Sequence, residues 1–150
     1  MESIGFDDGL RVNVMLADYA QVADGKLNVI GGGWSVTGPE PSPFAIAGLF
    51  EVPWHLADQL HTFRFELIDM DGTAVMCRTP DGMQEVFFEG SFELGHPEDA
   101  KPGSVQRVPF ALNGGMLPLE PGTHYEWRLS VDGGVHDGWR LPFATRAREE

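Results

Sequence analysis

Leu119-Glu120-Pro121-Gly122-Thr123-His124-Tyr125-Glu126-Trp127-Arg128-Leu129 is the stretch that decides the fold. A Pro-Gly turn feeds straight into a strictly alternating run. Tyr125, Trp127, Leu129 and Val131 fall on one face, and Glu126, Arg128 and Ser130 fall on the other. A tyrosine a few residues beyond such a turn can bury its ring and return its hydroxyl to the preceding backbone, which ties loop to strand.

Outward from that strand the same pattern recurs, and no segment holds a helical period. Candidate strands are Val12 to Ala17, Lys26 to Ile30, Trp34 to Thr37, Phe44 to Val52, Thr62 to Ile68, Ala74 to Cys77, Glu85 to Leu94, Val105 to Leu112, Tyr125 to Val131 and Trp139 to Ala144. Within Thr62 to Ile68, Phe63, Phe65 and Leu67 point inward. Asp71-Gly72 reads as a hairpin turn, Gly90 as a bulge and Leu56 to Leu60 as one helical turn after Pro53. The segment Gly38-Pro39-Glu40-Pro41-Ser42-Pro43 is a loop, because prolines cannot donate to a ladder. Ten candidates at this spacing, eight or nine of them taken as strands of one body, predict an all-β sandwich, immunoglobulin-like or jelly-roll in topology. Phe44 to Val52 is apolar at both parities, which predicts a strand covered twice or placed at an interface.

The 150 residues suit one domain over 1–150, with a charged, frayed tail from about Thr145. Lys plus Arg number 10 against 23 Asp plus Glu, a net charge of −13, which disfavours nucleic acid and anionic membranes. Cys77 is the one cysteine, so no intrachain disulfide or cysteine-based zinc site is expected. The first residues carry Glu2, Asp7 and Asp8 rather than a basic and apolar leader, and Phe44 to Phe50 is far short of the roughly 20 residues that span a bilayer. A cytoplasmic location is the expectation.

Leu119-Glu120-Pro121-Gly122-Thr123-His124-Tyr125 resembles the Leu-x-Pro-Gly-Thr-x-Tyr corner of many immunoglobulin-like and fibronectin type III-like domains. The order of Leu16-Ala17-Asp18-Tyr19-Ala20, Gly31-Gly32-Gly33-Trp34, Val52-Pro53-Trp54 and the Pro-Gly-Thr-x-Tyr-x-Trp-x-Leu end resembles a family of small uncharacterised bacterial and phage-encoded proteins. That resemblance implies a source and no activity. Two lysines against eight arginines suit a GC-rich bacterial genome.

Residues suited to carry chemistry are sparse. His55, His61, His96, His124 and His136 include no pair at metal-ligand spacing, so they read as isolated surface histidines and no metal or cofactor is expected. Asp69-Met70-Asp71-Gly72 resembles a calcium loop only in its first acids, because Arg78 stands where the bidentate glutamate belongs. Asp81, Asp132 and Asp137 could contribute only if loops converge. Cys77 shows no neighbouring base, and no nucleophile elbow or phosphate loop occurs.

Aromatics are the better lead. Trp127 and Trp139 are in phase with strand cores, whereas Trp34 and Trp54, the latter beside His55, sit near loop ends. The expectation is a non-catalytic binding or assembly protein that meets a protein partner or itself. Phe50 on the doubly apolar strand and Trp34, Trp54 and His55 are the candidate contacts. The alternatives are a carbohydrate-like ligand module on coplanar Trp34 and Trp54, a calcium-dependent binder, and an acidic nucleic-acid mimic.

Overall fold

Alternating side chains leave each strand one apolar face to bury, and two sheets facing one another bury both at once. The structure, a computed structural model, describes residues 9–149, and of Asp137 only the backbone. The strands are β1 (Arg11–Ala17), β2 (Tyr19–Ala23), β3 (Lys26–Ile30), β4 (Val36–Thr37), β5 (Phe44–Val52), β6 (Leu60–Asp69), β7 (Met76–Thr79), β8 (Gly82–Glu85), β9 (Phe87–Glu93), β10 (Gln106–Gly114), β11 (His124–Val131) and β12 (Gly134–Thr145). One 3-10 turn spans Trp54–Leu56, and no α-helix occurs among the described residues.

The fold is an all-β sandwich. One sheet has the order β1-β5-β10 and the other β4-β12-β11-β6-β9, with two further hairpins, β2-β3 and β7-β8. Pairing is antiparallel except for β4 on β12. The core lies between the sheets. Ile46, Phe50 and Val52 of β5 face Phe65 and Leu67 of β6 and Trp127, Leu129 and Val131 of β11, all buried. Trp127 is 1% exposed, as its phase requires, whereas Trp139 is half-buried and stacks on His136.

The double apolarity of Phe44 to Val52 has its explanation inside the chain. β5 is the central strand of its sheet, and its outward Ala45 and Ala47 are covered by the β2-β3 hairpin. Ala17, Ala20, Ala45 and Ala47 are 0% exposed, and their small side chains let the hairpin lie close, with Leu27 and Val29 packed over them. Phe50 faces the other way, into the core, at 0% exposure, with ring centroids of Phe92, Phe110 and Phe63 at 4.7, 4.8 and 5.3 Å. It is therefore a core residue rather than the partner contact expected from the sequence.

Asn113 on β10 fastens the hairpin. Its amide Nδ2 donates to the Ala20 carbonyl at 2.8 Å, and its Oδ1 accepts from the Ala20 N–H at 3.2 Å. One side chain thus imitates a backbone bridge. Asn113→Ala is expected to cost about 1–2 kcal/mol, two ordinary hydrogen bonds, and to speed amide exchange in Tyr19–Ala23 selectively. Hydrogen exchange read by NMR checks this; uniform acceleration across the whole sandwich would refute a local clamp.

Several expected boundaries move. The long strand over Glu85 to Leu94 divides into β8 and β9 at the buried Val86. Gly90 makes no bulge: it stays in register opposite Phe63, and a Cβ there would come within 2.8 Å of that ring. The turn after Pro53 occurs at Trp54–Leu56 rather than at Leu56 to Leu60. β2 had no counterpart in the sequence reading, and β8 only its last residue, Glu85. Arg146 and Arg148 do not fray: the Arg146 N–H donates to the Thr37 carbonyl at 2.9 Å, and Arg148 pairs with Glu40 at 3.0 Å. Glu2, Asp7, Asp8 and Glu150 lie outside the described residues. Among the described residues no helix is long and apolar enough to cross a membrane.

Candidate functional site

Two ends of the sandwich carry the chemistry, and β5 and β11 run from one to the other. Trp34 lies at the end where β5 and β11 begin, and Trp54 follows the point where β5 ends. A nine-residue strand is roughly 30 Å long, so the two tryptophans form no shared platform. That arrangement removes the coplanar Trp34–Trp54 surface expected for a carbohydrate-like ligand.

At the first end, Gly31 and Gly33 adopt φ of 62° and 90°, and a Cβ at Gly31 would collide with the Asp18 side chain. The glycine run is thus a close approach of backbone to β1, with the Gly33 N–H donating to the Leu16 carbonyl at 2.7 Å. It turns the chain so that Trp34 meets Phe143 edge-to-face, centroids 6.0 Å apart. Phe143 in turn stacks on Tyr125 at 5.7 Å.

The Pro-Gly corner is bonded as its sequence suggested. The buried Tyr125 hydroxyl accepts from the Glu120 N–H at 2.8 Å. Thr145 Oγ1 adds a donation to the Glu120 carbonyl at 2.6 Å and accepts from the Thr123 N–H at 3.0 Å. These bonds hold the loop before β11 against the end of β12.

Between that loop and Gly38–Ser42 lies a narrow apolar cleft of about 20 Å³. Phe44, Trp127, Phe143, Leu117, Leu119, Pro39 and Pro41 line it. The space exceeds the roughly 10–15 Å³ that one water needs. Trp34 Nε1 is buried here without a hydrogen-bond acceptor among the described residues. Buried donors are almost always paired, with protein or with ordered water, which makes this N–H an exception among the described residues.

The other end gathers Trp54, His55, His61, His96 and Asp132. Trp54 stacks flat on His96, centroids 3.6 Å apart and planes 4° apart, and its carbonyl lies 3.0 Å from His96 Nε2. His96 Nδ1 stands 3.5 Å from Asp58. His55 is exposed, and its carbonyl accepts from the Gln59 amide. Trp54 is therefore engaged by the chain, while His55 faces solvent.

His61 is not a surface histidine. It continues the inward row of Phe63, Phe65 and Leu67 and is 3% exposed. Its Nδ1 lies 2.7 Å from Asp132 Oδ2 and its Nε2 2.7 Å from the Leu56 carbonyl. Asp132, at φ 51° in the β11-β12 turn, also accepts from the Thr62 N–H at 2.9 Å. Burial alone pulls the imidazole down, but the bonds to Leu56 and Asp132 and the carboxylate charge outweigh it and raise its pKa above 6.5. Burial likewise pushes Asp132 up, and the His61 bond, the Thr62 N–H and the imidazolium charge reverse this and hold it low. The inward parity of His61 was a usable signal; its partner, some seventy positions away, was not.

The remaining candidates are dispersed. Asp69 Oδ1 accepts from the Asp71 and Thr73 N–H groups, which is turn chemistry, and Asp132 is committed to His61. Among the described residues no three His, Cys, Asp or Glu side chains converge for a metal ion. Cys77 is half-buried and packs against the core. On the outer face of the larger sheet, Glu66, Glu85 and Glu89 pair with Arg64, and Glu126 pairs with Arg128, so the acids there form no unbroken negative stripe.

The model of a family of unknown function (DUF6941) matches residues 13–144, from β1 to the end of β12. No curated protein matches the chain. Among solved structures, the sensor domain of the anti-sigma factor RsgI4 from Pseudobacteroides cellulosolvens is similar at 11% identity, with 93% of this chain and 94% of that one covered and a TM-score of 0.38.

Proposed function

We propose a function for a chain that belongs to the DUF6941 family of unknown function: it is a non-catalytic binding module that seats an extended segment of a protein partner at the Trp34 cleft. The partner supplies a backbone carbonyl to the indole N–H and an apolar side chain to the mouth. One observation carries this reading, the buried Trp34 Nε1 without an acceptor at the edge of an aromatic cleft. Leaving such a donor unpaired costs about 1–3 kcal/mol, which a partner's carbonyl recovers on binding.

Aromatic rings and the chain's own Pro39 and Pro41 line the cleft, so its mouth offers an apolar surface to a proline-containing strand. Aromatic grooves take such segments readily because polyproline II is extended before binding. The net charge of −13 favours basic residues flanking the docked segment. Self-association is the case in which a second copy supplies the strand. The protein is expected to shift its Trp34 indole proton downfield, saturably, when titrated with a blocked proline-rich peptide carrying basic ends. Trp34→Phe keeps an aromatic ring but deletes the N–H, and should weaken that binding about tenfold. A peptide that leaves the indole resonance in place, or that binds the variant equally well, overturns the reading.

A further inference from the structure

His61 bridges two parts of the chain that share no strand pairing: the Trp54–Leu56 turn through the Leu56 carbonyl, and the β11-β12 turn through Asp132. A carbonyl oxygen only accepts, and an ionised carboxylate only accepts, so satisfying both requires a proton on each ring nitrogen. We infer that His61 is a protonation-dependent latch, which as the imidazolium fastens the Trp54–Leu56 turn to the sandwich and on losing one proton lets it go.

The direction of release follows from the two partners. Asp132 is ionised and 46% exposed, so its bond to an imidazole N–H is charge-assisted, and it retains the remaining proton at Nδ1. Nε2 then turns a lone pair toward the Leu56 oxygen at 2.7 Å, which is repulsive. Apart from His61, the turn is held by the Trp54 stack and carbonyl contact on His96 and by half-buried Leu56 packed on the core. None of its three residues is buried, and no side chain caps it. Its own bonds are the Leu56 N–H to the Pro53 carbonyl and the Ala57 N–H to the Trp54 carbonyl. Release would therefore loosen the turn first at Leu56, next to the exposed His55, while Trp54 keeps its stack on His96.

The titratable groups on the surrounding elements are few. Asp132 comes from the β11-β12 turn, His55 lies within the 3-10 turn and Asp58 just beyond it, and Glu93 and His96 stand at and after the end of β9. Asp58 is directed to His96 rather than to His61. Phe92 packs on the imidazole at 5.3 Å, and the opposing sheet presents Phe50 and Val52 at this end. Asp132 is thus the group that governs the latch.

The stability consequence has a definite sign. A raised histidine contributes fully below its unfolded pKa of about 6.5, and that contribution is lost as pH rises through the higher folded value. Asp132, lowered, contributes above about 3.8 and loses its share as pH falls through the folded value. Both are present together between about pH 4 and 6.5.

The experiment is a pH titration by NMR of the whole protein, following the His61 ring nitrogens and the amide protection of Leu56 and Ala57, corrected for intrinsic exchange. Both ring nitrogens are expected to carry protons at pH 6, and protection at Leu56 and Ala57 should fall about tenfold with the His61 midpoint. His61→Gln should make that protection independent of pH, which assigns the dependence to His61 rather than to another group near the turn. If His61→Gln fails to fold, Asp132→Asn serves instead and should move both midpoints to lower pH together. A single-proton ring at pH 6, or protection unchanged as His61 titrates, overturns the latch.

Discussion

Phe50→Glu is expected to abolish the folded state rather than to dissociate an assembly. The side chain is fully buried between two sheets, with three aromatic rings within 5.3 Å. Removing such a ring costs about 3–5 kcal/mol from lost transfer and the cavity left behind. A carboxylate placed there adds a further several kcal/mol, because no cation lies among Phe63, Phe92 and Phe110 to pair with it. The sum meets or exceeds the roughly 5–15 kcal/mol that holds a typical domain together. Near-ultraviolet circular dichroism should lose its aromatic signal, and no cooperative melt should remain. Phe50→Leu, which keeps an apolar side chain, should instead give a folded protein with a lower Tm. A folded, soluble glutamate variant of reduced oligomeric size would restore Phe50 as a contact surface.

The mistake that this variant exposes is instructive about what a sequence carries. β5 was legible to its bounds because eight apolar or small residues, broken only by Glu51, run between a proline loop and Pro53. Its parity was legible too. What was missing is the identity of the cover on its outer face, which arrives from β2-β3 through alanines and one asparagine side chain. β2 itself escaped notice because Tyr19 and Val22 are exposed while Ala20 is buried, so no apolar alternation marks it.

The site followed the same division. Trp34 could be picked out as a tryptophan behind three glycines, and the cleft beside it depends on Leu117, Leu119 and Phe143 from distant segments. Trp34 and Trp54 looked like companions because both follow loops, but strand direction places them at opposite ends. His61 stood in phase with Phe63 and Phe65, and parity alone announced it as inward. A search for histidine pairs at metal-ligand spacing asked the wrong question of it, since its partners are a carboxylate and a backbone carbonyl.

Gly48→Ala is the second large effect expected, and it separates space from backbone conformation as the reason for a glycine. Gly48 sits in mid-strand, paired with Val14 on one side and Phe110 on the other. It is absent from the positions with left-handed φ, so the conformation alone would tolerate any residue. The obstacle is contact: a Cβ would strike the Asn13 carbonyl oxygen of the neighbouring strand and come within 3.0 Å of the Phe110 ring. A ring can tilt away, but a ladder carbonyl cannot move without separating β1 from β5. The cost should therefore sit at or above the upper end for overpacking, about 3 kcal/mol, a drop in Tm of roughly 10 °C for a chain of this size.

Two comparisons make the assignment of cause firm. Gly25→Ala, at φ 69° with nothing within 4 Å of the new methyl group, should cost about 1–2 kcal/mol from conformation alone. Adding Phe110→Leu to Gly48→Ala clears the ring and leaves the Asn13 oxygen in place, so it should give no rescue. Recovery of stability in that double variant would transfer the constraint from the β1–β5 ladder to the aromatic packing. The central strand would then owe its glycine to Phe110 and not to the closeness of its neighbour's backbone.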